Sequence, residues 1–378
     1  MASTVLVPLA CASFEASESG GSGETTTVGA GDGGTEGSPG ADGAPDASAE
    51  AGAIRSTKLY VFGGVTAVAG FEEHVLEAHV ASIREDGSLG NWEPAPALDV
   101  IRSYMATVDV LGGPLVMAGG NGRDIGKPES NFTGSREDVG VAPGEPPETW
   151  RAGPALGAGN GRWAAPATFM GGRVYVGGGR VGSTKRANTV MAAPISGTPP
   201  TLQPWKGVGT LPAAMGDHGL VALGSRLYVL GGSVVVADGG VATARSTFMA
   251  SIDAEDTLTA WESAGDLPKP REAFSIVTDE SRIFLIGGDD GSGSATNTVF
   301  IGTPTATKQL AWEESTPLKA VRRHLCAVRA NGRLYAIGGA DATHTPAVEV
   351  GVVNGSSITW RETTPLPVAR SAMGCMAR

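Results

Sequence analysis

Apolar residues along this chain gather in short runs, each shut off by a pair of glycines. The runs are Lys58–Gly64, Pro114–Gly120, Arg173–Gly179, Arg226–Gly232, Arg282–Gly288 and Arg333–Gly339, spaced 51 to 59 residues apart. Each is a nearly continuous stretch of β-formers, as expected of a strand packed on both faces. Gly-Gly ends it because glycine reaches positive φ freely and lets the chain leave a crowded space. Turn signals at Gly171-Gly172, Gly224-Ser225 and Asn331-Gly332 just precede three of the runs and predict a tight hairpin to an earlier strand. A tryptophan recurs with the same period: Trp92, Trp150, Trp205, Trp261, Trp312 and Trp360. A third column follows each Trp by ten residues, or by twelve in one copy: Arg102, Arg162, Met215, Arg271, Arg322 and Arg370. No apolar run reaches the roughly 18 residues of a membrane-spanning helix.

Three marks in fixed phase define an internal repeat of about 50 residues. The pattern resembles the kelch repeat over residues 54–378. The resemblance implies an all-β fold, a six-bladed kelch-type β-propeller with one four-stranded sheet per copy. Copy 2 departs from it, with Val116 in place of the usual Tyr or Phe and a long polar insertion before Trp150. After Arg370 only eight residues remain, enough for one innermost strand over Ser371–Ala377. Its missing partner is the unpaired first strand, Lys58–Gly64. Blade 1 is therefore expected to combine residues 58–95 with 368–378, so that both termini close the ring and no sheet edge stays open. A closed ring has no need to dimerise through sheet edges, and a monomer is expected.

Composition changes the picture at the N-terminus. The formal charge is −11, but the first 53 residues hold eight acidic side chains and no Lys or Arg, which leaves −3 for the body. From Ser17 to Gly52 no aromatic appears, and Val28 is the only large aliphatic residue. Residues 17–53 thus bury too little apolar surface to offset their ordering entropy and are expected to be a disordered Gly/Ser/Ala/acidic linker. Neither part is basic, so nucleic acid is not expected as a partner. Residues 1–16 contain Val5-Leu-Val-Pro-Leu-Ala-Cys11, which resembles the end of a bacterial lipoprotein signal peptide. In that reading Cys11 is the lipidation site, the membrane is met only through the lipid, and the protein is exported to the cell envelope. The alternative is a plain leader on a cytoplasmic protein.

The candidate chemistry lies in the third column. By the kelch resemblance, Arg102, Arg162, Arg271, Arg322 and Arg370 open onto one mouth of the central channel, where guanidinium forks suit carboxylate or phosphate. The alternative is structural, with each Arg reaching backbone carbonyls or Glu. Met215 interrupts the column, with Asp217 and His218 close by, and His218 joins the ligand-binding candidates. Tyr104, Trp163, Glu272, Arg323 and His324 are second-rank neighbours. The five His form no metal-ligand spacing, Asp289-Asp290 lacks the spaced oxygens of a Ca²⁺ loop, and no phosphate-loop ending follows the glycines. No metal and no cofactor are expected. Cys326 and Cys375 fall on innermost strands of adjacent blades; buried free thiols are expected, with a bridge as the alternative.

Three functions follow. The first is a non-catalytic binding or scaffold module that takes an anionic protein segment or acidic glycan at an Arg-lined mouth. The second is a sugar-modifying enzyme resembling sialic-acid mutarotases, with Glu272 as the nearest acid. The third is a purely structural envelope protein. Galactose-oxidase-like chemistry fits poorly, because only Tyr104 lies outside the repeated phrase.

Overall fold

The computed structural model describes residues 56–68, 71–110, 113–123, 139–142 and 149–378. The expectations for residues 1–16, Cys11 and the linker 17–53 lie outside these. Every regular element among the described residues is a β-strand. Six antiparallel sheets each follow the order innermost, second, third, outermost. The second strand is the repeated apolar phrase in every case: Lys58–Phe62, Leu115–Ala118, Arg173–Gly177, Arg226–Leu230, Ile283–Ile286 and Arg333–Ile337. These strands are buried nearly throughout because apolar neighbours cover both faces.

The core is divided. Six apolar clusters each draw on two consecutive sheets, so the burial lies in the wedges between sheets. Leu59 and Val61, for example, pack with Tyr335, Ile337 and Val350, which joins the first copy to the last. The innermost strands lie side by side in a closed circuit and surround a channel cavity of about 220 Å³. The first and last strands among the described residues meet in one sheet: Gly374–Ala377 pairs antiparallel with Lys58–Phe62, with Val61 opposite Cys375. The Thr57 and Lys58 amides both donate to the Arg378 carbonyl, at 2.7 and 2.6 Å.

Two sets of backbone hydrogen bonds lock each sheet to the next. In the first, the second glycine of each phrase donates to the carbonyl of the column residue in the following sheet: Gly64 to Arg102, Gly120 to Arg162, Gly179 to Met215, Gly232 to Arg271, Gly288 to Arg322 and Gly339 to Arg370, all at 2.7–3.0 Å. The first glycine sits against the same carbonyl. A Cβ on Gly63 would stand 2.4 Å from Arg102 O, and the φ of +55° there also disfavours any L side chain. Gly-Gly is thus a requirement of close approach as well as of backbone conformation.

The second set is a complete circle. Tyr104, Ala164, Asp217, Ala273, His324 and Ala372, each two positions after the column residue, all hold φ between 49 and 55°. The Ala164 amide donates to Tyr104 O, Asp217 to Ala164, Ala273 to Asp217, His324 to Ala273, Ala372 to His324 and Tyr104 to Ala372, at 2.8–3.0 Å. Left-handed backbone costs a non-glycine residue about 1–2 kcal/mol, and the circuit supplies the hydrogen bonds that hold it.

Cys326 and Cys375 correct the expectation of free thiols. They form a disulfide with a Cα–Cα distance of 6.1 Å. Their strands are adjacent innermost strands, and the offset of one in register turns the two side chains toward each other. The bridge fastens the C-terminal strand to the sheet before it.

Two outcomes are expected. A 49-residue separation gives the bridge up to about 4 kcal/mol of stabilisation in the chain-entropy model. Reduction, or Cys326→Ser with Cys375→Ser, should lower the urea midpoint, and unchanged midpoints would remove the staple role. In the hydrogen-bonded circle, Ala164→Gly should hold or raise stability by up to about 1 kcal/mol, whereas Ala164→Val should lose about 1–2 kcal/mol. A Val variant as stable as the Gly variant would contradict the strained circle.

Candidate functional site

The arginine column is not on the surface. Arg102, Arg162, Arg271, Arg322 and Arg370 are each at most 2% exposed. In Arg162, Arg322 and Arg370 the guanidinium turns inward and holds the ends of two strands in its own sheet. Arg162 Nη1 donates to Gly178 O and Thr189 O, Arg322 Nη1 to Gly338 O and Ala347 O, and Arg370 Nη1 to Gly63 O and Glu77 O. Arg102 Nη1 donates to Gly119 O. Arg322 also pairs with the buried carboxylate of Glu349, and Arg271 lies over the Phe300 ring at 5.3 Å. The anion-binding reading of this column is therefore corrected. Arg102, Arg162, Arg322 and Arg370 serve carbonyls that water cannot reach, whereas Nε and Nη1 of Arg271 are buried without a hydrogen-bond partner among the described residues. Burial pushes Arg162 down to about 10.

His218 is corrected in the same way. It is 6% exposed and occupies a column otherwise made of Met105, Ala165, Phe274, Leu325 and Met373. Each of these packs against the second glycine of its own sheet, as His218 does against Gly232. Neither imidazole nitrogen has a hydrogen-bond partner among the described residues. Burial first, and the Arg162 charge second, push its pKa down to about 3, so the ring is neutral.

The accessible chemistry lies one layer outward. The residue after each column position faces the loop that leaves the Gly-Gly of the preceding sheet. These loops form the rim of the channel: a hairpin of Val65–Val68 with Phe71–His74, one of Arg180–Val181 with Lys185–Arg186, one of Ser233–Val235 with Val241–Thr243, and the turns 289–295 and 340–344. Ser103 meets His74 at 2.6 Å, and Ser371 meets His344 at 3.1 Å. Arg323 Nη1 pairs with Asp289 Oδ2 at 2.6 Å and also donates to Gly293 O. Arg180 Nε pairs with Asp217 Oδ2 at 2.6 Å. In both pairs the aspartate side chain is buried, at 4% and 2% exposure, while the arginine side chain is 33% and 27% exposed.

Aromatic residues stand between the two pairs. Tyr104 makes edge contacts with Trp163 and His324, with centroids 5.2 and 5.1 Å apart, and the Arg180 guanidinium lies 4.9 Å from the Trp163 ring. Burial, with Glu72 and Asp217 adding, pushes the Tyr104 hydroxyl up to about 12. Burial lowers His324. In the circle of six, these side chains alternate Tyr, Ala, Asp, Ala, His, Ala, so three functional groups share one opening with small residues between them. Glu272 is half-buried beside them. Burial and then Asp217 raise its pKa, while the Ser233 hydroxyl hydrogen-bonds to it. Arg186 donates to the same Ser233 oxygen from Nε at 3.1 Å and Nη2 at 2.5 Å.

The second-rank neighbours Tyr104, Trp163, Glu272, Arg323 and His324 thus come together at the rim. Sequence reasoning missed Arg180, Arg186 and Asp289. Arg180 and Asp289 occupy the first position after Gly-Gly and pair with Trp163 and Glu272 through isolated β-bridges. That fixed offset was the signal. Among the described residues no group of His, Cys, Asp or Glu is placed to hold a metal.

No family model matches the chain. Among curated proteins it is 24% identical over 143 residues to Beta-scruin of Limulus polyphemus, covering 36% of this chain and 14% of that protein. It is 26% identical over 166 residues to Kelch repeat and BTB domain-containing protein 12 of Danio rerio, covering 40% and 25%. It is 22% identical over 181 residues to Kelch-like protein 35 of Mus musculus, covering 38% and 30%. The chain thus spans less than a third of the length of any of these relatives. The solved structure titled "Structure of YjhT" superposes with a TM-score of 0.57 at 17% identity, over 74% of this chain and 88% of that one. That likeness is one of fold.

The buried imidazole supplies a test of the column reading. A His held below its ordinary pKa binds fewer protons folded than unfolded, so stability falls as pH drops below about 6.5. His218→Met, matching Met105 and Met373, should raise stability and flatten the loss between pH 6.5 and about 3. Thermal melts across that range check it; a variant with an unchanged pH profile would place His218 elsewhere.

Proposed function

We propose, from the premise that the chain is a kelch-repeat β-propeller, that it is a non-catalytic binding module whose ligand site is the rim. The ligand's anionic group sits against Arg180 and Arg323. One observation carries the reading: Arg180 and Arg323 are each oriented by a buried aspartate yet keep 27% and 33% of the side chain exposed, close to Tyr104 and His324. A fixed guanidinium loses little side-chain entropy when it binds a carboxylate. Trp163 and Tyr104 add flat apolar surface of the kind that anchors peptides and sugars. An anionic protein segment or acidic glycan is the partner class that this chemistry fits.

A second reading rests on Glu272. It is a half-buried acid with a raised pKa beside two arginines, which suits proton transfer on an acidic sugar. Mutarotation followed by NMR for the parent and Glu272→Gln decides between the two: activity lost with Gln supports the enzyme, and background rates in both leave the binding module.

The disulfide between Cys326 and Cys375 supports folding in an oxidising compartment. This agrees with export to the cell envelope and a lipid on Cys11, which mass analysis of the N-terminus tests directly.

The binding reading is tested on a glycan and acidic-peptide array at two salt concentrations. Hydrogen bonds to charged groups contribute about 1.5–3 kcal/mol, so Arg180→Ala or Arg323→Ala should each weaken the strongest ligand about 10- to 100-fold. Binding should also weaken as salt rises. Full binding in both variants would exclude the rim, and absence of any ligand that responds to them would favour a purely structural role.

A further inference from the structure

The charges of the rim are arranged in two tiers, and this arrangement narrows the ligand. The inner tier holds three cations, Arg180, Arg186 and Arg323, against the buried carboxylates of Asp217 and Asp289. Glu272 is the third acid of this tier, half-buried beside Ser233. Arg180 and Arg323, each paired on one side and 27% and 33% exposed, leave donors for one carboxylate at this tier. The outer tier is the exposed part of the loops that follow each Gly-Gly. Its exposed carboxylates among the described residues are Glu72, Glu73, Glu77, Asp238, Asp290 and Asp341, and its exposed cations are Lys185 and Arg245, the latter paired with Asp266 at 3.3 Å. None of these six carboxylates has an ion-pair partner within the chain among the described salt bridges.

A polyanion meets this surface badly. Its first charge reaches the arginines, but every further charge must lie beside the outer acids. At ~10 Å in water each such encounter changes affinity about twofold, with opposite signs for anions and cations. Below the outer tier the opening is bounded by the hydrogen-bonded circle of six, with Tyr104 and His324 in edge contact across it. The ligand must enter by a tip.

We infer that the occupant of the rim is a polypeptide segment that presents a single carboxylate at its tip and carries Lys or Arg on both sides. The carboxylate engages Arg180 and Arg323, and the basic flanks lie against Glu72, Glu73, Asp238, Asp290 and Asp341. This rests on the rim being the binding site and replaces the broad anionic class by an amphoteric one.

The test is fluorescence anisotropy with the full chain and four synthetic peptides of equal length. The first is a Lys/Ser peptide with one central Glu and both ends capped. The second replaces that Glu by Gln, the third replaces every Lys by Glu, and the fourth keeps Gln at the centre but frees the C-terminal carboxylate. Protein variants are Arg323→Ala and the triple change Asp238→Asn, Asp290→Asn, Asp341→Asn, all on the surface or in half-exposed loops.

The first peptide should bind tightest. The Gln peptide should lose about tenfold, the scale of one charge-assisted contact. The triple variant should weaken the basic peptide and strengthen the polyacidic one. Recovery of binding with the fourth peptide assigns the carboxylate to a chain terminus; absence of recovery assigns it to a side chain. If the polyacidic peptide binds best and loses affinity with Arg323→Ala, the two-tier inference is overturned and the rim site stands. If Arg323→Ala changes nothing for any peptide, or no peptide binds, the rim site itself is overturned.

Discussion

Twelve backbone hydrogen bonds near one end of the channel decide what this chain is allowed to be. Six run from the second glycine of a phrase to the column carbonyl of the next sheet, and six form the circle through Tyr104, Ala164, Asp217, Ala273, His324 and Ala372. Both sets link neighbouring sheets, and both need backbone in conformations that cost energy outside the assembly. A single sheet gains none of these bonds. The repeat is thus stable only as a closed set, in which each copy supplies the donors that its neighbour's geometry demands.

The buried arginines belong to the same constraint. Where Gly-Gly ends the second strand, the chain turns away and leaves the carbonyl of the first glycine without a ladder partner. In four copies a guanidinium reaches it from the column residue of the same sheet, and in three of these a further bond reaches the start of the third strand. The column residue therefore acts twice, closing its own sheet with its side chain and receiving the preceding sheet with its carbonyl. Only the fourth copy manages with an apolar side chain, Met215, at 2% exposure. In that copy the carbonyl-to-glycine bond persists at 2.8 Å, because it requires only backbone. Glu349 shows the cost of going further: its carboxylate is buried in the wall with Arg322 to neutralise it.

The periodic marks made the fold legible. Strand, Gly-Gly and Trp follow from packing, and packing repeats. The pairing of the two ends was legible for the same reason, since an unpaired strand at each terminus leaves two edges that satisfy each other. The site was legible only in part. Arginine at a fixed offset reads equally as a ligand claw or as a staple for carbonyls, and only burial separates them. His218 misled for a related reason: a polar residue in an apolar column looks functional, yet its environment is that of Met105 and Met373. The disulfide depended on how closely the adjacent innermost strands approach, to a Cα–Cα distance of 6.1 Å, which no one-dimensional spacing contains. Arg180 and Asp289 were hidden because they follow Gly-Gly, where the repeat stops repeating.

That last point separates scaffold from site. Positions bound by the twelve hydrogen bonds carry glycine, arginine or whatever side chain fits the wedge. One residue further along, the backbone still pairs across the rim, as in Trp163 with Arg180 and Glu272 with Asp289, but the side chain meets the loops of the rim and not the packed wedge. These positions differ from copy to copy: Ser103, Trp163, Gly216, Glu272, Arg323 and Ser371. A rigid circle that fixes Cα positions while releasing side-chain identity is a sound base for recognition, since the groups that meet a ligand need no reorganisation of the frame. It also explains why the rim groups come in oriented pairs. Arg323 and Arg180 lie on a surface where an isolated arginine would sample many rotamers, and the buried Asp289 and Asp217 hold each to one direction. The aspartates are themselves fixed by the frame, Asp217 as a member of the circle and Asp289 as the partner of Glu272. The constraint that closes the ring is thereby passed, through two carboxylates, to a pair of arginines that water can reach.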